Sequence, residues 1–460
     1  MKFDLAIIGG GPAGYTAAVH AARLGAKAVI VEENKLGGTC LHEGCIPTKA
    51  MVASSALAEK MERSLSYGIR ASVEVDYGMV HERKQKIVGR LFAGLSQWLN
   101  KQGICCIRGK GELTGIHELA VRQGDQTVRI EANHILICTG SRPLVPSEFD
   151  CGSGNVMTSS DLLRLADLPR SLAIVGGGVV GCEFASIFKA LGAEVSIIET
   201  APRLLPMADG QISEALMERF RRRHIQVFVQ SRVESIRGAD RVEMVLDSGR
   251  SVTADAVLVA VGREPNSRGI GLEKLGVRTG PRGEILVNEY MQTNIPNIYA
   301  AGDVNGIMNL AHAAYVQGTI AVEHMLGNAV KIFRKDLVPV GIFTSPEIAY
   351  LGATEEELRQ RGIPYRRMVQ MFAGNGKAVC EDETFGWVKL LCHEQSGELL
   401  GMHVIGSRAT DLIHEGTLIR TWGLPVSDLA DAVFVHPSLG EIVKEAAESL
   451  KFIRGENAHG

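Results

Sequence analysis

Apolar residues gather into short runs that stop at glycines, and one such arrangement occurs twice. Leu5 to Gly14 reads LAIIGGGPAG and Leu172 to Gly181 reads LAIVGGGVVG, each followed by an alanine-rich stretch. A short apolar run bounded by turn residues predicts a buried strand, so each copy predicts strand, glycine turn and helix. The copies keep a constant offset of 167 positions: Leu24-Gly25-Ala26 returns as Leu191-Gly192-Ala193, and Glu32 returns as Glu199 at the end of a second apolar strand. A further pair, Ile135 to Pro143 (ILICTGSRP) and Val257 to Pro265 (VLVAVGREP), predicts the closing strands of two halves, each ending at glycine with Arg and Pro after it.

Between the copies, apolar spacing predicts helices over 50–63 and 81–100, and residues 104–133 predict short strands with glycine turns. Ile298 to Val304 is a third strand-to-glycine junction and ends in a carboxylate, Asp303. From about Lys335 the pattern changes to strands and helices without nucleotide glycines, as in Gly386 to Cys392 and Leu399 to Gly406. That predicts a separate α+β domain.

The spacing of the repeated glycines has a chemical reading. In G-x-G-x-x-G the first glycine makes a tight turn, the second lets backbone approach a pyrophosphate, and the third lets helix pack on strand. These are Gly9, Gly11 and Gly14 in the first copy and Gly176, Gly178 and Gly181 in the second. The following helix offers free N–H groups and a positive dipole end to phosphates. A carboxylate 18 residues past the last glycine, Glu32 or Glu199, accepts hydrogen bonds from ribose hydroxyls and repels a 2′-phosphate. Two copies in register predict two bound dinucleotides.

Composition narrows the class. At 460 residues the chain is long enough for three or four domains, and 45% hydrophobic residues with 52 glycines describe an α/β enzyme with many turns. Aromatic residues are 5% and the formal charge is -3, which gives no stacking platform or basic surface for nucleic acid or an anionic membrane. No apolar run reaches the roughly 18 residues of a membrane helix. Met1-Lys2 followed by apolar residues could pass for a secretory signal, but Asp4 and the early glycines interrupt it, so a mature cytoplasmic protein is expected. Nine cysteines, at 40, 45, 105, 106, 138, 151, 182, 380 and 392, make no secreted framework and fit a reducing compartment with one special pair.

That pair is Cys40 and Cys45, in Gly37-Gly38-Thr39-Cys40-Leu41-His42-Glu43-Gly44-Cys45-Ile46-Pro47-Thr48-Lys49. Residues five apart on an ideal helix point about 140° apart, so a bond between them needs an irregular segment, which Gly37, Gly38, Gly44 and Pro47 can supply. Pro47 also suits the first turn of a helix running through Lys49 and Ala50, where a thiolate is stabilised. Two inert cysteines are the plainer reading; placement just past a nucleotide fingerprint favours redox use. Near the other end, His436-Pro437-Ser438-Leu439-Gly440-Glu441 precedes an amphipathic helix from Ile442 to Leu450. It reads either as an ordinary helix start or as an acid/base His436 oriented by Glu441, which suits thiols that must lose protons.

Taken together, these segments resemble the pyridine nucleotide–disulfide oxidoreductases over essentially the whole chain, and most closely the members that oxidise dihydrolipoamide. The carriers are GGGPAG at 9–14, GGTCLHEGCIPTK at 37–49, GGGVVG at 176–181, AGDV at 301–304, LAH at 310–312 and HPSLGE at 436–441. The resemblance implies an α/β fold of two Rossmann-like, three-layer ββα-type nucleotide-binding domains plus a C-terminal α+β dimerisation domain. It divides the chain into an FAD-binding domain (1–143), an NAD-binding domain (144–263), a second FAD-binding or central part (264–334) and an interface domain (335–460). FAD is implied at Gly9, Gly11, Gly14, Glu32, Gly38, Thr39, Lys49, Thr139, Gly140, Asp303, Leu310, Ala311 and His312. NAD(H) is implied at Gly176, Gly178, Gly181, Glu199 and Gly262, and no metal.

The same resemblance assigns Cys45 to face the flavin and Cys40 to exchange with substrate, pairs Lys49 with Glu183 beside the flavin, and takes the His436–Glu441 dyad from the partner subunit of an obligate homodimer. The implied reaction oxidises dihydrolipoamide carried on a lipoyl domain of a 2-oxo acid dehydrogenase or glycine-cleavage complex. The alternatives are an NADH-dependent reductase of another disulfide and a nucleotide-binding assembly or sensor protein without catalysis. Glu199 with Thr200-Ala201-Pro202-Arg203 builds no basic cluster for NADP, and 455–460 carry no second thiol pair. Three positions depart from the family pattern: Ser438 where Thr is common, Phe434 where His is frequent, and Ala313 where Lys is frequent.

Overall fold

The structure, a computed structural model, describes residues 1–149, 154–238, 240–328 and 331–452. Cys151 and the 455–460 terminus lie outside these residues. The first apolar runs form a parallel sheet in the order Cys105–Arg108, Ala28–Glu32, Lys2–Ile8, Gln126–Ile137, with Ile298–Ala300 pairing on the far side of Gln126–Ile137. Alternation within Lys2–Ile8 explains why the run is apolar throughout. Leu5 and Ile7 pack against Ala17, Ala18 and Ala21 of the helix Pro12–Arg23. Ala6 and Ile8 pack the opposite way, against Leu113, Leu119 and Val121 of an antiparallel meander. Burying such a side chain contributes about 1.5–3 kcal/mol, and both faces are used.

The meander, Lys110–Gly115 and Glu118–Gln123 with the first half of Gln126–Ile137, differs from separate short strands over 104–133. Gln126–Ile137 is one strand of 12 residues. Its start pairs antiparallel with Glu118–Gln123, and from Glu131 onward it pairs parallel with Lys2–Ile8. The expected closing strand over 135–143 is therefore the far end of a strand that belongs to two layers.

The second half repeats this plan. Gln226–Phe228, Glu194–Ile198, Ser171–Val175, Ala256–Val259 and Val156–Met157 form a parallel sheet in that order. Leu172 and Ile174 face Cys182, Phe184 and Phe188 of the helix Val179–Ala190, while Ala173 and Val175 face the meander strands Val242–Leu246 and Ser251–Ala254. The tails of the two closing segments pair with each other: Ser141–Pro143 runs antiparallel to Arg263–Pro265, with Arg142 opposite Glu264. The duplicated Arg-Pro segments thus form the ribbon that joins the halves.

Both central helices begin earlier than their apolar spacing indicates, at Cys45–Glu62 and Tyr77–Lys101. Asp76 starts the second by accepting from Met79 N at 2.9 Å. After the nucleotide halves comes an antiparallel sheet in the order Val340–Ile342, Glu347–Gly352, Leu399–Gly406, Trp387–His393, Tyr365–Met371. The helices Ala409–Trp422 and Glu441–Phe452 pack with it. Among the described residues, no helix is long and apolar enough to cross a membrane.

A buried ion pair joins this sheet to the second half. Lys389 is fully buried, and its Nζ donates to Asp209 Oδ1 at 2.6 Å and to Gln211 Oε1 at 2.9 Å. Asp209 also caps the helix Gly210–Arg222. Removing one partner leaves an uncompensated charge, so Lys389→Met is expected to cost about 3–5 kcal/mol. Denaturant unfolding checks this, and Asp209→Asn added to Lys389→Met should recover part of the loss.

Candidate active site

The two fingerprint loops are superposable in chemistry as well as in sequence. Glu32 accepts from Gly10 N and Asn34 N, both at 2.7 Å. Glu199 accepts from Gly177 N and Ala201 N, both at 2.6 Å. Each donor pair is 167 positions from its counterpart, so the repeat reaches down to single hydrogen bonds. The third glycines have no alternative: a Cβ at Gly14 would lie 2.0 Å from Gly9 O, and one at Gly181 would lie 1.9 Å from Gly176 O. Gly178 is different, because a Cβ there meets nothing. A side chain there would meet open space.

A cavity of about 1160 Å³ opens on the first loop. Gly9, Gly11, Glu32, Gly38, Thr39 and Lys49 line it, with Cys40 and Cys45 at one side. Thr139, Gly140 and Asp303 add the ends of two neighbouring strands, and Leu310 and Ala311 add the start of the helix Ala311–Met325. Gly14 lies beneath, closing helix on strand. His312 does not line the cavity; its Nε2 meets Pro339 O at 2.7 Å. Gly176, Gly178, Gly181, Glu199 and Gly262 form the second loop region outside this cavity, which from the helix after that loop is lined by Val179, Val180, Glu183 and Phe184.

The cysteines sit where two helices break. Cys40 belongs to the short helix Gly38–His42, and Cys45 is the first residue of Cys45–Glu62, with Gly44 as its cap. Neither is disulfide-bonded in this structure; the thiols are hydrogen-bonded to each other. That bond from Cys40, helped by the Lys49 ammonium, brings the Cys45 thiol down to about 7 against its burial. The same contact, followed by burial, pushes the Cys40 thiol up. The two thiols therefore shift in opposite directions, in the sense that favours negative charge on Cys45. Lys49 lies one helical turn on, its Nζ 3.0 Å and 3.1 Å from the two Glu183 oxygens and 4.4 Å from the Phe343 ring centroid. Glu183, 5% exposed, also accepts from Phe343 N at 2.9 Å.

His436 Nδ1 lies 2.9 Å from Glu441 Oε1, and Glu441 Oε2 accepts from Ser438 N at 2.8 Å. The Ser438 amide and His436 hold the Glu441 carboxyl below its usual range. The dyad forms, but the His436 side chain is 81% exposed and does not line the cavity. One chain does not bring imidazole and cysteines together.

Several residues near the cavity were not singled out from sequence. Ser141 Oγ donates to Asp303 Oδ2 at 2.6 Å, and Arg263 Nε donates to Ser141 Oγ at 2.7 Å. The repeated Arg-Pro tails were the available signal. Tyr15, directly after Gly14, donates to Tyr315 at 2.9 Å. Burial raises both phenols, and the charges of Cys40 and Cys45 raise them further. Lys84, on the cavity wall, donates to Leu163 O, and burial lowers its ammonium to about 8. No periodic signal marked it. Among the described residues, no group of three or more His, Cys, Asp or Glu is placed to hold a metal.

The family model for pyridine nucleotide-disulphide oxidoreductases matches residues 3–318, and the model for the dimerisation domain of the same enzymes matches 338–447. The chain belongs to this family. It is 39% identical to a dihydrolipoyl dehydrogenase of Bacillus subtilis over 96% of this chain and 97% of the relative. A Chlamydia muridarum dihydrolipoyl dehydrogenase is 38% identical over 97% and 96%. Among solved structures, LpdA from Mycobacterium tuberculosis matches with a TM-score of 0.93 at 29% identity, covering 97% of this chain and 99% of that one. The HOCl-induced flavoprotein disulfide reductase RclA from Escherichia coli matches with a TM-score of 0.88 at 28% identity over 97% and 99%.

This oxidoreductase family uses FAD and NAD(H), and its dimerisation domain supports a homodimer. The cavity fits an extended dinucleotide by its own features. The buried Thr139 Oγ1 on its wall has no hydrogen-bond partner, and the helices at Pro12 and Ala311 turn amide ends towards it.

The two glycines of the second loop differ in what a side chain would meet: backbone at Gly181, open space at Gly178. Gly181→Ala is expected to lower stability by at least about 2–3 kcal/mol through overpacking. Gly178→Ala should leave the unfolding midpoint within the error of surface substitutions, about 0.5 kcal/mol, yet weaken NAD(H) binding. Thermal unfolding and NADH titration of the two variants check both halves of this statement.

Proposed function

We propose that the chain is a dihydrolipoyl dehydrogenase, which oxidises protein-bound dihydrolipoamide to lipoamide and passes hydride to NAD+. The observation that carries the reading is Cys45 at the head of its helix, hydrogen-bonded to Cys40 and one turn from the Lys49–Glu183 pair. The likeness to curated dihydrolipoyl dehydrogenases over nearly the full chain supports it.

In the oxidised enzyme Cys40 and Cys45 share a disulfide. His436 of the partner subunit, oriented by Glu441, takes a proton from one substrate thiol. The thiolate attacks Cys40 Sγ, forming a mixed disulfide and leaving Cys45 as thiolate. The second substrate thiol then attacks the substrate sulfur of that mixed disulfide, closing the lipoamide ring, and its proton goes to Cys40, which leaves as the thiol. Bound FAD would supply the two-electron relay between the dithiol and NAD+. Lys49 and Glu183 hold charge and geometry beside Cys45. Gly9, Gly11, Glu32, Gly38, Thr39, Thr139, Gly140, Asp303, Leu310 and Ala311 would cradle FAD, while Gly176, Gly178, Glu199 and Gly262 would take NAD(H). Gly14 and Gly181 provide the close packing beneath the loops, and His312 stands outside the cavity against Pro339 O.

The same reading extends to the four-part division at 143, 263 and 334 and to a cytoplasmic location. It also extends to a lipoyl domain, of a 2-oxo acid dehydrogenase or glycine-cleavage complex, as the substrate carrier. Steady-state assays with dihydrolipoamide, glutathione and other thiols and disulfides test it. Turnover should be confined to lipoyl substrates, and His436→Gln should lower kcat with dihydrolipoamide by about 10²–10⁴ while NADH still bleaches the flavin. Negligible lipoyl turnover with rapid reduction of another disulfide would favour the reductase alternative.

A further inference from the structure

The segment after the ribose acid, Glu199 to Asp209, contains a single cation, Arg203. A cation in this place is chemically significant, because an arginine near the end of the second strand is what accommodates a 2′-phosphate. Glu199 alone repels that phosphate, but a free guanidinium four residues on would attract it.

Arg203 is not free. Its Nη1 donates to Glu356 Oε1 at 3.0 Å, and its Nη2 donates to Ala208 O at 3.2 Å. Glu356 Oε1 also accepts from Gly210 N at 3.0 Å, so the carboxylate is anchored to the end of the same segment. Glu356 comes from the helix Glu355–Gln360, within the span matched by the dimerisation domain. Its neighbour Glu355 is buried and accepts from Arg359 at 2.8 Å and Arg367 at 3.3 Å. Asp209 is held by the buried Lys389. The ribose segment is therefore gripped at Arg203, Asp209 and Gly210 by side chains outside the nucleotide-binding half.

We propose that Glu356 is a specificity-determining residue for the pyridine nucleotide: by occupying Arg203 it removes the one cation of this segment from the reach of a 2′-phosphate, and so reinforces the choice of NAD+ made by Glu199. The inference rests on the assignment of the second fingerprint to NAD(H). Glu356 acts through Arg203 and touches neither nucleotide nor substrate, so it is a positioning residue, and its effect falls on one nucleotide rather than on both.

The test uses the FAD-replete enzyme with dihydrolipoamide and either NAD+ or NADP+. In Glu356→Gln the ratio of kcat/KM for NADP+ over NAD+ should rise about tenfold, the scale of one charge-assisted hydrogen bond. The rise should come through a lower KM for NADP+, with kcat on NAD+ unchanged. Adding Arg203→Ala should return the ratio to the wild-type value. A ratio that stays put in Glu356→Gln, or one that stays raised in the double variant, overturns the proposal. Glu199→Gln separates the two levels. If it leaves the KM for NAD+ unmoved, the assignment of the site has failed. If it raises that KM while Glu356→Gln changes nothing, the site stands and Glu356 has no part in it. Should Glu356→Gln give no flavoprotein, Glu356→Asp, one methylene too short to hold Arg203, is read in the same way.

Discussion

The Lys49–Glu183 pair is the contact on which the arrangement around the cysteines depends. It bridges the helix that begins at Cys45 and the helix that follows the second glycine loop, at 3.0 Å and 3.1 Å. Glu183 is almost wholly buried and keeps a second tie to Phe343 N. A buried carboxylate without its ammonium would be costly, so the redox helix, the second half and the strand region near Phe343 are held together. The same ammonium favours the Cys45 thiolate. One ion pair thus helps fix where the sulfur sits and adds to the effect of Cys40 in lowering its thiol.

Around that contact the chain uses one plan twice. Each half buries both faces of a parallel sheet, against a helix on one side and a meander on the other. The halves are then joined by their own duplicated tails, Ser141–Pro143 against Arg263–Pro265. Those tails carry Ser141 and Arg263, which reach Asp303 at the first cavity. The joint between halves is consequently part of the cavity wall.

Much of this was legible because its causes are local. Glycine spacing, an acid at a strand end and a cysteine pair between glycines are short-range requirements, and Glu32 and Glu199 repeat down to their donors. What escaped depends on contacts between distant segments. Apolar alternation cannot reveal that Gln126–Ile137 serves two layers, because the change of partner at Glu131 is made by neighbouring strands. Tyr15 and Tyr315 are 300 residues apart. His312 sits in a family segment, yet its imidazole meets Pro339 O. The His436–Glu441 spacing identified the dyad, while its distance from the cysteines within one chain only appears once the chain is folded.

The central claim is that Cys45, rather than Cys40, carries the negative charge once the pair is reduced. Anaerobic titration with NADH, followed in the visible spectrum across pH, measures this directly. A lowered thiol pKa means that the thiolate form grows as pH rises through about 7. In the wild type at two electrons, a long-wavelength band from the thiolate against the oxidised flavin should grow with that midpoint; in Cys40→Ser, which has no disulfide to reduce, the band should be present before NADH is added, and in Cys45→Ser it should be absent throughout. A band that survives Cys45→Ser and is lost in Cys40→Ser would contradict the account.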